Sequence, residues 1–365
     1  MMSNLVSVHI LLGCLTNNDE DREIELNSNA MLCNEYGRLD NCNDIKTALL
    51  EYGYKDVFTE LVTLKNYNNI LDSIEKIYFN KSKDLFVLFN LCDGTETDGY
   101  PGISILLEIE RRQLYFTGSD SFFFQITTSK PNLKRILQSK SVPTSNFIEI
   151  DKNNPEKSLD QAEKLLSYPM IIKPSIAYAS LHISNKSVVN NREEALIQIE
   201  TMFKIINEGI FIEKYFSGHE YTVLITGDEQ NEIKIFPVLE RIFNSKLKLN
   251  ERLLTFETYW SGYGYNGYAI QGEKLWQSIP VKSDEQIESI VRNAYIALNG
   301  NGYARVDIRT EGTNIYVLEV NANCSIGFGN NTPLGEILDI SLYTPPQFVH
   351  HLIQLALNRN FKEKK

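Results

Sequence analysis

The sequence predicts an α/β protein of two or three domains that opens on a parallel sheet with helices on its faces. Three observations predict it. Over residues 5–112, short apolar runs alternate with segments of helical periodicity, the pattern of strands joined by crossover helices. The chain has 365 residues, 42 % hydrophobic and 23 % charged, which is globular in composition and too long for one small core. Residues 302–323, GYARVDIRTEGTNIYVLEVNAN, alternate polar and apolar side chains on both sides of a glycine, as a long β-hairpin does.

Taken in order, residues 5–12 form a buried strand by composition, and the polar TNNDEDREIELNSN leads into DIKTALLEYGY, helical in spacing and stopped at Gly53. DVFTELV is a second strand, NYNNILDSIEKIYF a helix, DLFVLFNL a third strand and ISILLEIERR a third helix. Ligands of parallel sheets sit beyond the strand C-termini, so the turn NLCDGTETDGYPG is the expected ligand-facing edge. From residue 126 the pattern changes. KPNLKRIL is helical, a Pro-bearing turn and a strand follow, DQAEKLLS is helical, and YPMIIKPS is an apolar strand ending on Lys173. REEALIQIETMFKII is an amphipathic helix, GIFIEKYFSGHEYTVLIT a strand pair, and a helix over 284–299 feeds the hairpin. The last helix starts near Pro346.

Composition excludes several classes. A net charge of -11 argues against a nucleic-acid or anionic-membrane partner, which needs a basic footprint, and any bound phosphate must be held by a few placed lysines. Five cysteines without a CxxC spacing indicate reduced thiols and a cytoplasmic location. The N-terminal apolar run lacks a basic segment before it and a small-residue cleavage site after it, so it is expected to be a strand. None of the five histidines has zinc-ligand spacing, and His350-His351 lies in a helical pattern where packing is the simpler role. GYGYNG at 262–267 fits GxGxxG but follows no buried strand and opens no helix; a loop over 257–272 that closes over the site is expected instead.

The hairpin carries the chemistry. Tyr303, Arg305, Asp307 and Arg309 share one face of its first strand. With a three-residue turn, Glu311 to Thr313, the return strand shows Ile315, Val317, Glu319 and Asn321 on one face, with Arg305 opposite Glu319 and Asp307 diagonal to it. Two carboxylates and an amide oxygen so placed suit a hard cation such as magnesium, and an adjacent arginine suits an oxyanion. An ordinary Arg–Glu cross-strand pair is the alternative. Upstream, Lys130 precedes Pro131 at a helix start and Lys173 closes an apolar strand, where a charge is costly unless it meets an anion. Glu213 and Glu220 follow, each compatible with a solvated charge when taken singly.

The order of these elements resembles the ATP-grasp enzymes, and among them most closely the D-alanine–D-alanine ligases. The resemblance spans nearly the whole chain: LLEIERRQLYFTGSD, TTSKPNLKRIL, YPMIIKPS, FIEKYFSGHEYTV and GYARVDIRT with YVLEVNAN occur in the family's order. It implies an ATP-grasp fold with an N-terminal parallel-sheet domain over 1–125, a central subdomain over 126–216 and a C-terminal subdomain over 217–365. It further implies ATP as cofactor, with phosphates on Lys130 and Lys173. The base and ribose would lie on Glu213, on the backbone of Lys214 to Phe216 and on Glu220. Two magnesium ions, with manganese as a substitute, would sit on Asp307, Glu319 and Asn321. Arg305, Ser180 and the backbone near Gly327 would act in catalysis. The implied reaction joins small-molecule amino-acid or carboxylate substrates to an amine through an acyl phosphate, with a homodimer left open. An authentic D-alanine–D-alanine ligase and a nucleotide-binding module without turnover are the competing readings.

The departures from the family cluster where substrates bind. After the second lysine the chain reads KPSIAYASLHIS, keeping Ser180 but placing Tyr178, Ala179 and His182 where small residues are usual. The first-strand motif is blurred, leaving Asp21 or Glu23 for its acidic role. The Gly-rich turn shows NLCDG without histidine, and NCSIGFG follows the hairpin without the usual proline.

Overall fold

The computed structural model describes residues 6–16, 39–78, 86–177, 180–229, 231–255, 269–270, 273–282, 284–329 and 332–359. Asp21, Glu23, Tyr178, Ala179 and most of the loop over 257–272 lie outside the described residues.

The chain opens with β1 (Ser7–Gly13), α1 (Leu39–Tyr52), β2 (Val57–Val62), α2 (Tyr67–Ile77), β3 (Phe86–Leu91) and α3 (Ile103–Arg111). β1 lies between β2 and β3, parallel to both, which is the arrangement the strand–helix alternation predicts. All seven residues of β1 are buried, as a strand covered on both faces requires. α4 (Ser121–Thr128), which the sequence reading did not pick out, is capped by the Asp120 side chain and leads into α5 (Lys130–Ser139).

β4 (Phe147–Glu149), α6 (Pro155–Leu165), β5 (Met170–Pro174), β6 (Val188–Val189), α7 (Arg192–Phe203) and β7 (Ile210–Lys214) follow. Their strands form an antiparallel sheet in the order β4-β7-β5-β6. β8 (Glu220–Thr226), β9 (Lys234–Ile235), β10 (Leu239–Phe243), β11 (Ala269–Ile270), β12 (Glu273–Lys274), β13 (Trp276–Pro280), α8 (Glu285–Ala297), β14 (Tyr303–Glu311), β15 (Asn314–Ala322), α9 (Pro333–Ser341) and α10 (Pro345–Leu357) complete the chain. The large sheet runs β13-β10-β8-β14-β15, with β9 on β8. The expected strand pair over 210–226 is therefore divided. β7 joins the four-stranded sheet and β8 the large one, so FSGH crosses from one sheet to the other.

The hairpin also departs from its expected register. Glu311 pairs with Asn314, so the turn has two residues, and Gly312 at φ 61° takes the left-handed position that glycine occupies without a Cβ penalty. Leu318 is then the extra residue of a β-bulge, because Asp307 pairs with Glu319 while Ile308 pairs with Val317. Ile315 and Val317 consequently face the core with Val306, Ile308 and Val320, packed on Ile287, Val291, Ala294 and Leu298 of α8. Only Glu319 and Asn321 of the return strand turn toward Arg305 and Asp307. The physical reason lies in hydrophobic phase. Buried positions fall on odd numbers before Leu318 and on even numbers after it, and one unpaired residue reconciles the two.

Candidate active site between the two larger antiparallel sheets

A cavity of about 160 Å³ lies between β5 and the hairpin face. Lys130, Lys173, Ser180, Glu220, Arg305, Asp307, Glu319 and Asn321 all reach its wall, as does Asp93 from the turn after β3. Eight of the twelve residues singled out from sequence are thus brought together. Glu213, Lys214, Phe216 and Gly327 are not on the wall.

Helix and strand ends place the lysines. Lys130 begins α5, where Pro131 is tolerated because the first helical N–H groups have no partner within the helix. Its Nζ donates to the Ala177 carbonyl at 2.6 Å and stands 3.3 Å from Glu319 Oε2. Lys173 Nζ is 2.7 Å from Glu213 Oε1. Burial alone would lower the Lys173 pKa, but Glu213 and Glu319 outweigh it and raise it, so the ammonium stays charged.

Glu213 sits beneath this lysine and does not face the cavity. It is 1 % exposed and lies 2.7 Å from Lys134 Nζ through its other oxygen, while Ser145 Oγ donates to that same oxygen. Burial pushes the Glu213 carboxyl up; Lys134 and Lys173 reverse this and hold it at about 2. Lys134 was missed in the sequence, although a signal existed: it stands one turn beyond Lys130, within the buried stripe of Leu133 and Leu137.

On the hairpin, Arg305 Nε donates to both Asp307 oxygens at 3.1 Å and its Nη2 to Oδ2 at 2.9 Å. Thr222 Oγ1 donates to Asp307 Oδ1 at 2.7 Å, and Asn321 Nδ2 donates to Asp307 at 3.0 Å and to Glu319 at 3.3 Å. Burial raises the Glu319 pKa, yet Lys130, Lys173 and Arg305 bring it down to about 2. Both carboxylates are hard oxygen donors on one face, and rotation of the Asn321 amide would add a third. Among the described residues no group of three His, Cys, Asp or Glu gathers to hold a metal ion. Two carboxylates suffice for magnesium when phosphate oxygens and water complete the shell.

At the other end Glu220 lies between Arg241 Nε at 3.6 Å and Arg309 Nε at 3.7 Å, and the Arg309 guanidinium covers the Tyr215 ring at 5.0 Å. Phe216 stacks on Tyr316 with centroids 4.3 Å apart, and Lys214 Nζ donates to Ser167 Oγ at 2.8 Å. Gly327 lies beyond the cavity, where its carbonyl accepts from Thr332 Oγ1 at 2.5 Å. Ser180 and His182 take left-handed φ values of 58° and 64°, a conformation that glycine adopts without a Cβ penalty.

Comparison with known proteins gives the family. The family model for the D-ala D-ala ligase C-terminus matches residues 136–354. The chain belongs to the D-alanine–D-alanine ligase family. Curated relatives of this family include D-alanine–D-alanine ligase A of Bacillus cereus, 26 % identical over 70 % of this chain and 74 % of the relative. Another is the D-alanine–D-alanine ligase of Acetivibrio thermocellus, 26 % identical over 84 % of this chain and 77 % of the relative. Among solved structures, the D-alanine–D-alanine ligase of Bacillus anthracis superposes with a TM-score of 0.65 at 19 % identity, covering 96 % of this chain and 97 % of that one. The VanG D-Ala:D-Ser ligase of Enterococcus faecalis gives a TM-score of 0.63 at 17 % identity over 97 % of this chain and 100 % of that one. The fold is the ATP-grasp fold of these family members.

Proposed function

We propose that this family member is an ATP-dependent ligase that joins the carboxylate of one amino acid to the amine of a second. The observation that carries the reading is the convergence of Lys130 and Lys173 with Asp307, Glu319 and Arg305 on one cavity. The ATP-complexed Bacillus anthracis ligase among the structural neighbours, with a TM-score of 0.61, supports a nucleotide in that place. Lys130 and Lys173 hold the phosphates, Glu220 the ribose, and the backbone of Lys214 to Phe216 the base. Glu213 acts from behind Lys173 and not on the base. Asp307, Glu319 and Asn321 fit magnesium, which when bound offsets phosphate charge. The chain divides functionally near residues 125 and 216.

A carboxylate oxygen of the first substrate attacks the γ-phosphorus, the bond to the β-phosphate oxygen breaks, and ADP leaves. The amine nitrogen of the second substrate then attacks the acyl phosphate carbon. The resulting tetrahedral intermediate expels phosphate, and the nitrogen loses a proton to give the amide. The catalytic role of Arg305 is to face the negative oxygen of that intermediate, where a fixed cation acts without reorganisation. No nucleophilic side chain is required, since positioning and charge stabilisation account for the catalysis.

Transfer of one ¹⁸O atom from a labelled substrate carboxylate to inorganic phosphate tests the acyl phosphate. ADP formation without that transfer would exclude it, and nucleotide binding with no ADP for any carboxylate would indicate a binding module. A second reading, authentic D-alanine–D-alanine ligase, is favoured by the names of the relatives. Against it stand Asp93 and Cys324 on the cavity wall, from the two turns that depart from the family pattern.

A further inference from the structure

We infer that Lys134 is a positioning residue for nucleotide binding, acting through Glu213 on Lys173. This rests on the proposed function, which assigns Lys173 to the phosphates.

Lys134 is 0 % exposed and belongs to α5, whose first residue, Lys130, reaches the cavity. Its Nζ has three partners: Glu213 Oε2 at 2.7 Å, Thr144 Oγ1 at 3.1 Å and Ser145 Oγ at 2.9 Å. An ammonium has three protons, so all are used and the group is held in one orientation. Thr144 Oγ1 in turn donates to the Val317 carbonyl at 2.7 Å, and Val317 N donates to the Pro143 carbonyl at 2.9 Å. One buried cation therefore ties together α5, the lysine-bearing sheet and the metal-ligand hairpin.

The charge count explains why such a group is retained. Burying an ammonium is costly, and burial does push the Lys134 pKa down. A packing role would be served better by an apolar side chain of the same length. With Lys134 present, the Glu213 carboxylate is shared between two ammonium groups at 2.7 Å each, and the three groups together carry one excess positive charge. Lys173, not Lys134, borders the cavity, so the excess charge is presented there. Without Lys134, the whole charge of Glu213 would fall on Lys173. The pair would be neutral, and less of the Lys173 charge would remain to attract a phosphate.

The test is the affinity of Lys134→Met and wild type for ATP, AMP and adenosine by isothermal titration calorimetry, with magnesium held constant. The inference requires ATP affinity to fall by about tenfold or more, ~1.4 kcal/mol per decade, AMP affinity to fall less, and adenosine affinity to change by under about twofold. A merely structural role would weaken all three alike. Equal loss across the three ligands, or no loss for ATP, overturns the inference while leaving the proposed function standing. Failure of the wild type to bind ATP overturns both. If Lys134→Met does not fold, Lys134→Gln provides the same comparison, because it removes the charge while its amide can still donate to Glu213 Oε2.

Discussion

Asp307 and Glu319 are direct register partners across β14 and β15, because Leu318 is bulged between Val317 and Glu319. The pairing brings the two carboxylates together on the cavity side, while Val306 and Val320, the pair between Arg305–Asn321 and Asp307–Glu319, are buried behind them.

Glu319→Gln is expected to reduce magnesium-dependent turnover by about 100-fold or more while the fold is kept, since an amide lacks the charge a divalent ion requires. Steady-state phosphate release alongside circular dichroism checks this. Activity within a few-fold of wild type would remove Glu319 from the metal site.

Arg305→Met should lower kcat by about 100- to 1,000-fold with a smaller change in KM, as for loss of a group that meets charge only in the transition state. A rise in KM at constant kcat would show instead that Arg305 binds the ground state.

Acid should destabilise the fold through Glu213. Its folded-state pKa, about 2, lies below the ordinary 4.5, so its contribution is complete above pH 4.5 and is lost as pH falls toward 2. At about 1.4 kcal/mol per pKa unit this amounts to about 3 kcal/mol. Denaturant titrations from pH 6 to pH 2 should show a shallower loss in Glu213→Gln than in wild type, from a lower starting stability.

His351 adds an earlier acid-sensitive step. Burial, then Lys234 and His350, bring its pKa down from 6.5 to about 4, and its Nε2 meets Thr226 Oγ1 at 2.9 Å. The stability it contributes is present above pH 6.5 and falls away between 6.5 and 4. His351→Gln should flatten the stability profile in that interval, and an unchanged slope would count against a neutral buried imidazole.

The preferred substrate pair is expected to differ from D-alanine with D-alanine. Tyr178, Ala179 and His182 stand after Lys173 where the family has small residues, and the loss of a buried hydrogen-bond partner costs about 1 to 3 kcal/mol. Two such losses would slow use of D-alanine by about 30-fold or more. Phosphate release with D-alanine alone, compared with other D- and L-amino acids singly and in pairs, decides the matter. Highest kcat/KM with D-alanine alone would establish the second reading.

Much of the architecture was legible in the sequence because it is local. Alternating apolar and helical periods mark β1 to α3, proline and lysine mark the start of α5, and Gly312 marks the hairpin turn. The apolar-face switch at Leu318 is present there too, as a change of phase, but strict alternation from Asn314 to Ala322 does not place the bulge. Lys130, Lys173, Arg305, Asp307, Glu319 and Asn321, which share one cavity wall, could be singled out because each sits at an element end or on an alternating face.

What the tertiary structure decided is which of the charges face the cavity and which face one another. Glu213 reads in sequence as a polar residue free to meet a ligand, yet β7 pairs with β5 and seats it between Lys134 and Lys173. Lys134 lies in the apolar stripe of α5, yet only the loop at Thr144 and Ser145, distant from Glu213 in sequence, brings its hydroxyl partners to it. Asp93 and Glu319 are separated by more than half the chain and share one wall. Periodicity determines the face of an element on which a side chain lies; only the packing of elements distant in sequence determines what that face meets, because Coulombic and hydrogen-bond partners are set by proximity in space.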